Sequence, residues 1–111
     1  MIARTWRGTA PANGAADYHR HFVGQVLPQL QDIPGFRGAY LLRREIADEV
    51  EFTTITFWDS KETIKAFAGA DPDVAVVEPE ARRVLTSFDE HVTHAEVVCA
   101  RMEPNVGCHS N

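Results

Sequence analysis
Residues 36–62, FRGAYLLRREIADEVEFTTITFWDSKE, decide the fold. In the run Phe36 to Arg44, residues Phe36, Gly38, Tyr40 and Leu42 fall on one side of an extended chain, the period-two pattern of a strand. Ala47-Asp48-Glu49 makes a tight polar turn, and Val50 to Trp58 returns rich in β-branched and aromatic residues. Two such runs joined by a short turn predict an antiparallel hairpin. At Asp59-Ser60-Lys61-Glu62 the pattern changes to a helix start: Asp59 is placed to cap it, and Glu62, three positions on, to complete a capping box. Ile64, Phe67 and Ala68 give that helix a core-facing stripe, and Gly69 suits its C-terminal stop.

Toward the N-terminus, Ile2 to Gly8 alternates as a strand, with Ile2, Arg4 and Trp6 on one side and Ala3, Thr5 and Arg7 on the other. Residues 8–14, containing Pro11 and Asn13, read as a loop. Tyr18, Phe22, Val26 and Leu30 then recur every four residues as one apolar helical stripe, which Pro28 is expected to kink or end. Ile33-Pro34-Gly35 breaks the chain before the hairpin. Toward the C-terminus, Asp71-Pro72 and Glu78-Pro79 can each open a helical piece, predicting a broken helix over about 72–87. His91 to Val98 alternates as a fourth strand. The expected domain covers residues 1–99, and residues 100–111, with Pro104 and Gly107, read as a flexible tail.

The order is βαββαβ, which predicts an α+β, ferredoxin-like, four-stranded antiparallel sheet with helices on one face. Neither side of the hairpin is cleanly polar: Trp58 shares a side with Phe52, while Ile55 and Phe57 share the other. Helices can cover one face, so a second copy of the chain is the expected cover for the other, and a homodimer is predicted.

Bulk composition narrows the classes. A chain of 111 residues fits one domain. Its formal net charge of −5 argues against nucleic acid as a partner, because phosphate binding needs a cationic footprint. The basic pairs Arg43-Arg44 and Arg82-Arg83 are flanked by acids and read as solvated surface. No apolar run approaches the roughly 20 residues that span a bilayer, and Met1 to Trp6 alternates too soon for a signal peptide. Cys99 and Cys108 are too few for a disulfide framework. A soluble, cytoplasmic protein is the expectation.

Several of these segments carry a family resemblance. Residues 2–8, residues 33–44, the turn Phe57-Trp58-Asp59-Ser60 with Ile64 to Gly69, and Val92 to Val97 are together similar to proteins of the antibiotic biosynthesis monooxygenase family. The likeness spans about residues 1–98. It implies a dimeric α/β-barrel made by two subunits packed sheet to sheet, with a pocket between sheet and helices in each. It also implies diverse functions: cofactor-independent oxidation of polycyclic phenols with O₂, haem breakdown, and many members with no established activity. Haem-degrading members carry an asparagine on the first strand, a tryptophan on the second helix and an iron-ligating histidine on the helix after it. Here Arg4 and Thr5, Phe67, and Val76-Val77-Glu78 stand near those places, so haem binding or degradation is disfavoured.

Cofactor-free oxidation asks little of a protein: an apolar cavity, a base that titrates near neutrality, and a polar group to hold the phenolate. His94, mid-strand among Val92, Ala95 and Val98, is the expected base. Arg4, Trp6, His21, Tyr40 and Phe67 are the expected ligand-binding residues, with Arg4 and Trp6 anchoring an anionic aromatic from one strand face. Trp58 reads as packing. His19 and His21, and likewise His91 and His94, are spaced to face different ways, so no metal site is predicted, and no cofactor is expected. The partners expected are a small aromatic molecule and a second copy of the chain. The rival expectation is a non-catalytic ligand-binding or stress-response dimer using the same cavity.

Overall fold
The computed structural model describes residues 1–103 of the 111; Cys108, His109 and most of the expected tail lie outside the described residues. Strands β1 (Ile2–Pro11), β2 (Phe36–Ile46) and β3 (Glu49–Trp58) form one antiparallel sheet with β3 in the middle. Two short strands, β4 (Ser87–Phe88) and β5 (Thr93–Glu96), share the remaining place beside β1. The sheet thus has order β2-β3-β1 followed by a fourth position filled in two pieces. Helices α1 (Ala15–His21), α2 (Leu27–Gln31), α3 (Lys61–Ala68) and α4 (Pro79–Val84) complete the ferredoxin-like α+β fold. Among the described residues no helix is long and apolar enough to cross a membrane.

Pairing fixes which side chains face the helices. Trp58, Thr56, Thr54, Phe52 and Val50 of β3 pair with Ile2, Arg4, Trp6, Gly8 and Ala10 of β1, and directly paired residues share a face. Two clusters build the core on that face: Ala10, Tyr18, Phe22, Val50, Phe52, Ala81 and Leu85 under α1 and α4, and Leu30, Trp58 and Ile64 under α2 and α3. Trp58 is fully buried and donates its indole N–H to Thr56 Oγ1 at 2.9 Å, as expected of a packing residue. On the other face Ile55 and Phe57 are half-buried and Leu42 and Ile46 exposed, so the two-faced character of the hairpin holds.

The expectations fail locally at five places, each with a physical cause. β1 runs on through Thr9, Ala10 and Pro11, because β3 is long enough to pair with them and proline is tolerated at a strand end. The first helix is not cut at Pro28; a π-helical turn, Phe22–Val26, joins α1 to α2. Side chains four apart advance about 400° on an α-helix, so a period-four stripe drifts by about 40° per step. The wider π turn takes up that drift and keeps Tyr18, Phe22 and Leu30 buried. Ser60, not Asp59, caps α3, exchanging hydrogen bonds with Thr63 in a capping box, while Asp59 is paired to Arg37. Residues 70–78 are not helical but form a strap, and only Pro79–Val84 is helix. The fourth strand is interrupted over residues 89–92, where the backbone turns to the strap: Val92 N–H donates to Asp73 O at 2.8 Å and Ala75 N–H to Glu90 O at 2.9 Å.

The hairpin turn is closed by Ala47 at φ 54°, a left-handed conformation that costs an L-residue roughly 1–2 kcal/mol. Glycine adopts it without that cost. Ala47→Gly is therefore expected to stabilise the fold by about 0.5–1 kcal/mol, read as a higher urea midpoint at unchanged m-value. A lower midpoint would show that the turn gains nothing from relief at this position.

Candidate functional site
A cavity of about 60 Å³ lies between the sheet and α1–α2, closed on its outer side by the strap. Its walls include Arg4 and Trp6 from β1, Tyr18 and His21 from α1, Phe67 from α3, and Val76, Val77 and Glu78 from the strap. Four of the five expected ligand-binding residues, Arg4, Trp6, His21 and Phe67, are thus brought together. Tyr40 is not. A bulge between Phe36 and Gly38 shifts the register of β2 by one residue, and a one-residue shift sends every later side chain to the opposite face. Phe36 stays on the helix side against Trp58, whereas Tyr40 packs edge-on against Phe57 on the open face.

Trp6 lies back along its own strand. Its ring sits over Gly8, where a Cβ would meet the indole at 2.5 Å, and its N–H donates to Asp89 O at 2.8 Å. The ring stacks on Tyr18 at 6.1 Å, and Tyr18 contacts Phe52 at 4.8 Å. Burial pushes the Tyr18 hydroxyl up to about 12, against the opposing effect of the Thr54 hydroxyl, so the phenol stays neutral. His21 is buried on the same helix, with Nδ1 making no hydrogen bond.

Arg4 is 5% exposed, an unusual place for a guanidinium. It lies over the Phe67 ring at 5.6 Å and donates from Nη2 to Val74 O at 2.9 Å; its Nε is buried without a partner. Burial lowers it to about 10, with Asp73 acting the other way, so it remains a cation at neutral pH.

His94 pairs directly with Arg4 across β1 and β5 and so shares its face. Its side chain is 5% exposed, and Nδ1 lies 3.1 Å from Asp73 Oδ1. It stands behind Arg4 rather than on the cavity wall. An ionised carboxylate only accepts, so Nδ1 carries the proton and Nε2, buried and unpartnered, presents its lone pair. Burial, then Arg4 and Lys61, lower the His94 pKa, while Asp73 opposes them. Asp73, Tyr18 and the strap valines were missed from sequence. A non-helical strap gives no periodic signal, and Tyr18 read only as part of an apolar stripe. Among the described residues no group of three His, Cys, Asp or Glu side chains is placed to hold a metal ion.

The family model for antibiotic biosynthesis monooxygenases matches residues 1–97. The chain belongs to that family. No curated protein sequence matches it. Among solved structures it is similar to the heme-degrader MhuD from Mycobacterium tuberculosis with two hemes bound, at 22% identity and TM-score 0.63 over 92% of this chain and 100% of that one. It is also similar to the monooxygenase ActVA-Orf6 of Streptomyces coelicolor in complex with nanaomycin D, at 13% identity and TM-score 0.60 over 93% and 92% of the two chains. A third is SnoaB, a cofactor-independent oxygenase from Streptomyces nogalater, at 14% identity and TM-score 0.53 over 94% and 98%. At these identities the likeness establishes the fold.

A histidine whose folded pKa lies below its unfolded value of 6.5 binds its proton later in the native state. Between the two values the unfolded chain carries more protons, so stability falls as pH drops below about 6.5. Histidine NMR is expected to show His94 titrating below that value, and Arg4→Met to raise it by removing the nearby cation. An unshifted His94 in the wild type would contradict the burial assigned to it.

Proposed function
We propose that this chain is a cofactor-independent monooxygenase that oxidises a small phenol or hydroquinone with O₂, working as a homodimer. The observation that carries the reading is the Asp73–His94 pair beside Arg4: an oriented imidazole with a bare Nε2, next to a buried cation with an unused N–H. In this reading the Arg4 guanidinium holds the phenolate while Trp6 and Phe67 flank the ring, and His94, which is off the cavity wall, takes the phenolic proton once the wall beside Arg4 gives to the substrate. The phenolate then passes electrons to O₂. One oxygen atom enters the ring at a carbon bearing hydrogen, and the other leaves as water with two substrate hydrogens, giving a quinone. No external reductant enters the balance.

The cavity favours the small end of the substrate range. A cavity of about 150 Å³ takes one benzene ring, so 60 Å³ accepts even a single ring only if a wall gives. The strap presents Val76, Val77 and Glu78 and no histidine, so the histidine on the cavity wall is His21 of α1, not one at the place haem-degrading members use. Oxygen uptake with a panel of hydroquinones and anthrones tests the proposal. Turnover is expected without added metal or cofactor, and His94→Ala is expected to lower kcat by roughly 10²-fold or more. Thermal stabilisation by the same compounds with no oxygen uptake identifies a receptor instead.

The homodimer reading rests on the uncovered sheet face, where Leu42 is 48% exposed and Ile46 45%, together with half-buried Ile55 and Phe57. Light scattering at micromolar concentration is expected to give twice the 12.4 kDa of one chain, and Leu42→Glu to shift the mass toward a single chain. A wild-type monomer would end this part of the proposal.

A further inference from the structure
The strap does two things at once. Val76, Val77 and Glu78 close the cavity, and three residues earlier Asp73 orients His94. Between them the strap is fastened to the sheet by Arg4 Nη2 to Val74 O, by Val92 N to Asp73 O, by Ala75 N to Glu90 O and by a bridge between Val74 and His91. Nothing in residues 70–78 is helical, and the strap is half-exposed, with Val74 at 41% and Val76 at 40%. Of the cavity walls, the sheet and the long helical run are held by regular hydrogen bonding. The strap is the cavity wall that lies outside regular structure.

We propose that Asp73 is a positioning residue that couples strap closure to the readiness of His94: with the strap out, the imidazole loses its orienting carboxylate, and with the strap seated over a ligand, Nε2 is presented as a base. This rests on His94 being the base. Opening the strap moves Asp73, because its own backbone oxygen is one of the fastenings. The groups facing His94 are then Arg4 from β1 and Lys61 from α3, both cations, with Asp73 the opposing acid from the strap. An open strap therefore leaves the imidazole beside cations and without the carboxylate at Nδ1. It has no fixed tautomer and no reason to point Nε2 at a substrate. The arrangement ties deprotonation of a substrate to its enclosure, which keeps the reactive anion from bulk water.

The test reads the tautomer directly, independent of turnover. In wild-type protein labelled with nitrogen-15 histidine, His94 is expected to hold its proton on Nδ1. Asp73→Ala is expected to move it toward the Nε2–H form and to lower its pKa further. Asp73→Asn, whose amide oxygen still accepts, is expected to restore the wild-type tautomer. Asp73 is an exposed side chain, so these variants are expected to fold, which a melting curve checks. Amide exchange at Ala75 and Val92, measured with and without 1,4-hydroquinone under nitrogen, is expected to slow at least several-fold on binding as the strap seats. With an oxidisable hydroquinone in air, Asp73→Ala is expected to lower kcat roughly 10–100-fold with little change in KM. The proposal is overturned if Asp73→Ala leaves the His94 tautomer as in wild type, or if hydroquinone binds without slowing the strap amides. A failure of oxygen uptake with intact tautomer control would instead remove the oxygenase reading and leave the coupling standing.

Discussion
A guanidinium buried to 5% exposure on the concave side of a sheet is the constraint around which the rest is arranged. Such a cation needs partners, because an uncompensated buried charge costs several kcal/mol or more. Arg4 finds them in the Val74 carbonyl, the Phe67 ring and the nearby Asp73. The first and last of these come from residues 70–78, which are not helical. The fourth strand is interrupted over residues 89–92, where its backbone bonds to the same strap. The space left beneath is the cavity.

The helical side shows the same accommodation in another form. A stripe of Tyr18, Phe22, Val26 and Leu30 is too loosely spaced for a regular α-helix, and the chain answers with a π turn. That turn does more than carry the run past Pro28. It keeps Tyr18 and His21 turned toward Trp6 at one end while Leu30 still reaches Trp58 and Ile64 at the other. One helical run thereby serves both core clusters and one cavity wall.

The hairpin, α3 and its Gly69 stop were legible in the sequence because each rests on local rules: alternation, capping and positive φ, the last observed at 86°. The two-faced sheet was legible for the same reason. What was not legible depended on contacts distant in sequence. Asp71-Pro72 has the look of a helix start, but the Asp71 carboxylate accepts from Asp73 N–H in a local turn, and Arg4, some seventy positions away, holds the next carbonyl. Tyr40 was assigned by unbroken alternation, and a single extra residue in β2 reversed it. That Arg4, Trp6, His21 and Phe67 meet at one cavity was legible because polar or aromatic residues on core-facing stripes stand out. Asp73 lay in a segment without periodicity, and nothing short of the fold places it against His94.

The position of His94 bears on the base role proposed for it. On β5 it is fixed by pairing with Arg4, and that pairing brings burial and a neighbouring cation, both of which favour the neutral ring. Neutrality alone does not make a base. In the proposed reading the proton must also sit on Nδ1, and among the described residues the acceptor beside it is Asp73, Arg4 and Lys61 being donors. The acceptor comes from the strap, the one wall not locked into regular structure. In the proposed reading the sheet sets the ring and its charge state while the strap sets the tautomer, and placing the two on different elements couples enclosure of a ligand to activation of the imidazole.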